Sequence, residues 1–155
     1  MKIEYRKGNL FETDIPVIAH GCNAQGVMGS GVAKIVRDQY PRAYELYRKK
    51  YELTNSLALG DIIPVIFDDS STESKVRIIV NAITQYSYGS DGSRFVSYDG
   101  VADCMKKINQ LAQQYDISQI AMPQIGAGLG GGDWNVIEAI MESELNQVQP
   151  VVYIL

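Results

Sequence analysis

Twice in this chain an apolar run passes into a glycine-rich loop and then into a helical stretch: over residues 17–34, VIAHGCNAQGVMGSGVAK, and over residues 120–134, IAMPQIGAGLGGGDW. Strand, glycine loop and helix start together form an anion-binding device. Glycine lets the backbone approach the anion closely, the first N–H groups of the helix point at it, and the helix dipole adds attraction. In the first segment Gly29 and Gly31 allow the close approach, and a helix starting near residues 30–33 supplies the N–H groups. In the second, Asp133 stands where a helix takes its N-cap. Strand C-terminal ends gather at one edge of an open α/β sheet, where ligands bind, so two such loops can clasp two adjacent phosphates from opposite sides.

Two familiar phosphate sites do not fit. Gly126, Gly128 and Gly131 formally satisfy G-x-G-x-x-G, yet only one strand follows, with no acidic residue at its end to take a ribose and no second mononucleotide half. Neither loop carries Gly-Lys followed by Ser or Thr, so a P-loop is unsupported. A single glycine loop also reads as an ordinary structural turn. Two in equivalent settings favour function.

Apolar runs bounded by turn residues predict strands over 3–5, 17–20, 62–67, 76–82, 119–122 and 151–155. Helices are predicted over 31–40, 41–51, 97–115 and 133–144; in the third, Val101, Met105, Ile108 and Ala112 recur at helical spacing. This alternation implies an α/β fold with a sheet covered on both faces, and 155 residues fit a single domain spanning 1–155. The polar runs 68–74, DDSSTES, and 87–93, SYGSDGS, read as solvated hairpin and loop, the second also as a place for binding residues.

Composition narrows the partners. With 46% hydrophobic and 21% charged residues the chain reads as globular. A net charge of −4 repels a long polyanion, so no polymeric nucleic acid is expected, whereas neutral backbone N–H groups can still hold one phosphorylated metabolite. Cys22 and Cys104 form no C-x-x-C pair, and with one histidine a Cys/His zinc site lacks ligands, so no metal is expected. The start of the chain shows no apolar signal region and no run reaches transmembrane length, which together with the unpaired cysteines gives a cytoplasmic expectation with no membrane partner.

The order KGNLF, HGCNAQGVMGSGVAKI, MPQIGAGLGGGDW and a final VVYIL resembles the macro domain family over nearly the whole chain. It is most similar to the ADP-ribose-1''-phosphate phosphatases and the related small ADP-ribosyl-adduct hydrolases. The resemblance implies a three-layer α/β/α sandwich with a central mixed sheet of about six strands, a monomer, and an ADP-ribose derivative as ligand with no cofactor. By position, Asn9 and Leu10 correspond to the segment that reads adenine, where many relatives have Asp in place of Asn9; an Asn oxygen still accepts from the adenine amino group. Asn23 falls on the asparagine facing the distal ribose. Gly29, Ser30, Gly31 and Val32 fall on the first diphosphate loop, and Gly126, Ala127, Gly128, Leu129 and Gly130 on the second.

His20, the only histidine, ends the strand before the first loop, which the resemblance places near the distal ribose. With an ordinary pKa near 6.5 it can activate water or attack a terminal phosphate; it also reads as a structural histidine satisfied by hydrogen bonds. Asp133 reads as its carboxylate partner or simply as the N-cap. Cys22 reads as an inert core thiol, Trp134 as core, and Tyr86, Tyr88 and Phe95 as packing or as a shield for adenine or ribose. The adduct hydrolases use a lysine and an aspartate at positions corresponding to Gln85 and Gly130, and this departure favours dephosphorylation of ADP-ribose-1''-phosphate, with His20, Asn23 and Asp133 as the catalytic residues. A non-catalytic ADP-ribose-binding module and a hydrolase of ADP-ribosyl adducts on protein or nucleobase are the alternatives, since all three share a fold.

Overall fold

The computed structural model describes residues 1–67, 75–89 and 93–154; the polar run 68–74, the centre of the 87–93 loop and Leu155 lie outside the described residues. Six strands form one sheet: β1 (Glu4–Lys7), β2 (Val17–Asn23), β3 (Ile62–Ile66), β4 (Ile78–Gln85), β5 (Gln119–Met122) and β6 (Gln149–Ile154). Four helices connect them, α1 (Gly31–Gln39), α2 (Pro41–Thr54), α3 (Tyr98–Tyr115) and α4 (Trp134–Glu144), with a short 3-10 turn at Leu10–Glu12. The strand order is β1-β6-β5-β2-β4-β3. All neighbours run parallel except β3, which pairs antiparallel with β4.

Burial follows directly from this order. β2 and β4 are interior strands covered on both faces, and almost every residue in them is buried. β3 alternates buried and exposed residues and holds Pro64, which an edge strand tolerates because it need not donate on its open side. Val17 and Ala19 of β2 point into the layer built by α3 and α4, where Val101, Met105, Ile108, Ile137 and Met141 are at most 1% exposed. Ile18 points the other way, toward Val36 of α1 and Ala43 of α2. The two-residue period of the strand thus feeds two separate cores.

One topological consequence positions everything that follows. After β2 the chain enters α1 on one face of the sheet, and after β5 it enters α4 on the opposite face. β2 and β5 are neighbours, so their C-terminal ends flank the crevice where open α/β sheets bind ligands.

The element boundaries move in two instructive places. β2 continues three residues past His20 to Asn23, because β4 runs beside it as far as Gln85 after a register shift between Cys22 and Asn23. His20 is therefore in the middle of a strand rather than at its end. Ser97 and Asp133 lie just outside α3 and α4 as N-caps, their side chains accepting from the N–H groups of Gly100 and Asn135. Among the described residues no helix is long and apolar enough to cross a membrane.

α3 ends on Asp116, held in the left-handed region at φ 55°, where an L-residue is strained and glycine is not. Replacing Asp116 with Gly is expected to raise the unfolding free energy by up to about 1 kcal/mol. The urea midpoint at constant m-value reads this directly, and a drop in midpoint would show that the aspartate carries a stabilising contact at the helix end.

Candidate functional site

The crevice beyond β2, β4 and β5 is a cleft of about 490 Å³, inside the usual range for a small-molecule site. Its first wall is the segment from Asn23 to the start of α1. Asn23 Oδ1 accepts from the backbone N–H of Gln25 at 2.9 Å and of Val27 at 3.4 Å, and its Nδ2 donates to the Val27 carbonyl at 2.8 Å. From α2, the fully buried Tyr47 hydroxyl donates to the Asn23 carbonyl at 2.6 Å. These bonds lock the turn that delivers Gly29 and Ser30 to the cleft. Ser30 is the N-cap of α1 but its side chain makes no capping bond. The first-turn N–H groups of a helix have no partner within it, and here they face the cleft lined by Gly31, Val32 and Ala33.

The second wall is a loop that folds onto itself. The Gly132 N–H donates to the Gly126 carbonyl at 2.7 Å, the Gly131 N–H to the Gly128 carbonyl at 3.0 Å, and the Gly130 carbonyl accepts from Phe95 and Val96. Three carbonyl oxygens are thereby engaged within the protein. Gly126 has φ +78°, and a Cβ on Gly130 would lie 2.7 Å from the Gly126 carbonyl oxygen, so the coil admits only glycine at these positions. The loops meet at the cleft mouth, where Leu129 Cδ1 comes within 3.6 Å of the place a Gly31 Cβ would take.

The structure brings together most of the expected ligand residues: Asn23, Gly29, Ser30, Gly31 and Val32 on one side, Gly126, Gly128, Leu129 and Gly130 on the other. Five do not line this cleft, and one of them is Ala127 of the second loop. Asn9 caps the 3-10 turn by accepting from the Phe11 N–H, and Leu10 is 6% exposed within the core on the α1/α2 side. Asp133 is spent as the exposed N-cap of α4. Its own N–H donates to the Tyr98 hydroxyl. The fifth is His20.

His20 is 0% exposed, and its ring points toward α2, not into the cleft. Asn81 Nδ2 donates to the Ala43 carbonyl, which turns Asn81 Oδ1 toward His20, so the ring donates from Nε2 at 2.6 Å and is the neutral tautomer. Burial pushes the His20 pKa down to about 4, against the opposing pull of the Asn81 bond. The expected place of His20 at a strand end is corrected here: the strand carries on past it, and period-2 alternation sends its side chain into the core. Cys22, on the same face with Sγ 3.6 Å from the His20 ring, reaches the cleft, but burial holds its thiol well above the ordinary range.

The cleft is electrically plain. None of its described lining residues is Asp, Glu, Lys, Arg or His. Sequence reasoning missed Gly21, Thr84, Gln124 and Ile125 on the cleft floor, and for Thr84 the reason is the premature end set for β4. Tyr86 and Tyr88 are more than half exposed rather than packed, and Tyr88 lines the cleft. Phe95 is the packing residue of that trio, lying against Gly89. Trp134 packs partly buried on the α3/α4 core, edge-on to Tyr5.

The family model described as Macro domain matches residues 19–141. An ADP-ribose 1''-phosphate phosphatase of Meyerozyma guilliermondii is 28% identical over 99% of this chain and 99% of its own length. A DNA ADP-ribosyl glycohydrolase of Mycobacterium bovis is 26% identical over 96% of this chain, which corresponds to 40% of that protein. Among solved structures, the macrodomain of Thermus aquaticus DarG superposes with a TM-score of 0.83 at 25% identity, covering 99% of this chain and 98% of that one.

The buried neutral imidazole makes stability depend on pH in a stated direction. Its folded pKa of about 4 lies below the unfolded value, so as pH falls below 6.5 the unfolded chain takes up a proton that the folded protein refuses. Stability is complete above pH 6.5 and is lost progressively down to pH 4, by about 3 kcal/mol at about 1.4 kcal/mol per unit. Urea unfolding of wild type and His20→Gln across this range is the check. Parallel pH profiles for the two proteins would show that His20 is not the group responsible.

Proposed function

The chain belongs to the macro domain family, and from that premise we propose that it binds ADP-ribose derivatives in this cleft and removes the terminal phosphate of ADP-ribose-1''-phosphate. The observation that carries the reading is the pair of glycine loops facing each other across the β2/β5 crevice with no charged side chain among the described lining residues. A diphosphate held there takes its compensation from backbone N–H groups and the α1 dipole, which suits a small dianion and is consistent with the chain's net charge of −4.

The two loops divide the ligand. The diphosphate lies between them, the adenosine extends toward the β1 edge, and the distal ribose extends toward the end of β4. In the reaction a water oxygen bonds to the terminal phosphorus as the bond from phosphorus to the distal ribose oxygen breaks, giving ADP-ribose and inorganic phosphate. With His20 sealed in the core and Asp133 spent as a helix cap, acceleration comes from orientation and from N–H groups directed at the charge that develops on the phosphoryl oxygens. Asn23 contributes by fixing the loop and has a second amide N–H beyond the one given to Val27.

Chemistry through a lysine and an aspartate is disfavoured by two positions. Gln85 donates from Nε2 to the Ser87 carbonyl at 2.8 Å, and Gly130 has no room for any side chain. The phosphatase named among the relatives supports the phosphomonoester reading.

Calorimetric titration with ADP-ribose, followed by phosphate release from ADP-ribose-1''-phosphate, tests the proposal. Ser30→Asp is the informative variant, because the carboxylate supplies the helix cap that Ser30 leaves unmade while setting a negative charge beside the diphosphate. Its thermal stability is expected to hold or rise, and its ADP-ribose affinity to fall at least tenfold, in line with about 1–4 kcal/mol for like charges near 4 Å. Unchanged affinity would remove the diphosphate from the start of α1. Binding without phosphate release would make the protein an ADP-ribose-binding module, and tight ATP binding with weak ADP-ribose binding would end the reading altogether.

A further inference from the structure

Tyr47 is 0% exposed and stands in an apolar cluster with Ala24, Met28, Leu57, Ile63 and Ile83. Phenylalanine would fill that volume without carrying a polar atom into it, and a buried hydroxyl costs free energy unless it is paired. This hydroxyl meets two oxygens of a single residue. It donates to the Asn23 carbonyl at 2.6 Å and lies 3.0 Å from Asn23 Oδ1. Burial raises the Tyr47 pKa above the ordinary tyrosine value, so the proton it shares between them is retained.

One proton placed between the main-chain and side-chain oxygens of Asn23 ties the side chain to the backbone. Oδ1 also accepts from the Gln25 and Val27 N–H groups, while Nδ2 donates to the Val27 carbonyl at 2.8 Å. Turning the amide over would set its NH2 against two N–H groups that can only donate, and its oxygen against a carbonyl. The orientation is thereby fixed, and Nδ2 keeps one hydrogen with no partner among the described residues, on a residue that lines the cleft.

Tyr47 can hold Asn23 because α2 is itself fastened to the sheet. Asn81 of β4 donates from Nδ2 to the Ala43 carbonyl at 3.1 Å, one helical turn before Tyr47. The register of β2 with β4 shifts between Cys22 and Asn23, so the hydroxyl grips β2 where regular pairing ends. We propose that Tyr47 is a positioning residue, which holds the Asn23 side chain so that the remaining amide hydrogen is presented to the bound ligand. This inference rests on the ADP-ribose reading above and adds to it a residue that acts on the ligand through another.

The test compares Tyr47→Phe, which keeps the ring and deletes the hydroxyl, with Ile108→Val, which removes one methyl group from the α3/α4 core. Both are expected to melt about 2–6 °C below wild type. On calorimetric titration, the ADP-ribose affinity of Tyr47→Phe is expected to fall roughly fivefold or more, while that of Ile108→Val stays at the wild-type value. In an Asn23→Ala background the Tyr47→Phe substitution is expected to cost no further affinity, as two residues acting as one unit require. Wild-type affinity in Tyr47→Phe, an equal loss in Ile108→Val, or a loss that persists in the Asn23→Ala background overturns the inference. The side-chain amide resonances of Asn23 in the wild type are expected to shift when ADP-ribose is added. Resonances that stay in place overturn the inference even where Tyr47→Phe fails to fold. All of these results leave the ADP-ribose reading intact, whereas failure of the wild type to bind ADP-ribose overturns both and is seen before any variant is made.

Discussion

The parallel pairing of β2 with β4 on one side and β5 on the other is the constraint from which the site follows. Because these strands run in one direction, their C-terminal ends open at the same edge; because the chain leaves β2 and β5 toward opposite faces, a cleft opens between the two loops that follow them. The two hydrophobic layers hold that gap open. Ile18 and Ile79 anchor β2 and β4 to the α1/α2 side, and Val17, Ala19 and Val80 anchor them to the α3/α4 side. A one-residue slip of β2 would exchange these sets and destroy both cores at once, so the loop positions are set by core packing rather than by the loops themselves.

What the loops add is polarity without charge. The self-bonded coil of residues 126–132 engages its own carbonyls, and the Asn23 side chain together with Tyr47 ties the other loop down. Preformed loops of this kind lose little conformational entropy on binding. They also let an acidic protein accept an anion: the compensation comes from oriented backbone dipoles at the start of α1, whose effect is confined to about one helical turn and so does not depend on the sign of the distant surface.

The sheet, the helices and both loops were legible because each announces itself locally: apolar runs of strand length, 3.6-residue spacing in α3, and glycines followed by a helix start. What was not legible depended on neighbours far away in sequence. β2 was cut at His20 because Gly21 ends the apolar run, and nothing local reveals that β4 runs alongside for three residues more. That one boundary moved the histidine from an imagined strand end into the core. The same shortening of β4 hid Thr84. Asp133 was read with two roles and the structure shows the cap.

His20 and Thr84 show that burial and hydrogen bonding act separately on polar groups. Each is at most 1% exposed, and they sit on the adjacent strands β2 and β4, near the same cleft. His20 has its bond: Asn81, itself oriented by the Ala43 carbonyl, accepts from the ring and anchors the sheet to α2. Burial lowers its proton affinity, and its ring is turned into the core on the α2 side. Thr84 Oγ1 has no such partner among the described residues, and it is sealed from solvent, packed close against Gly21 of β2. Chemical reactivity in the abstract pointed to the histidine. Packing overrides that signal, because period-2 alternation along β2 sends the ring into the core, where the imidazole pairs with Asn81 and serves the fold.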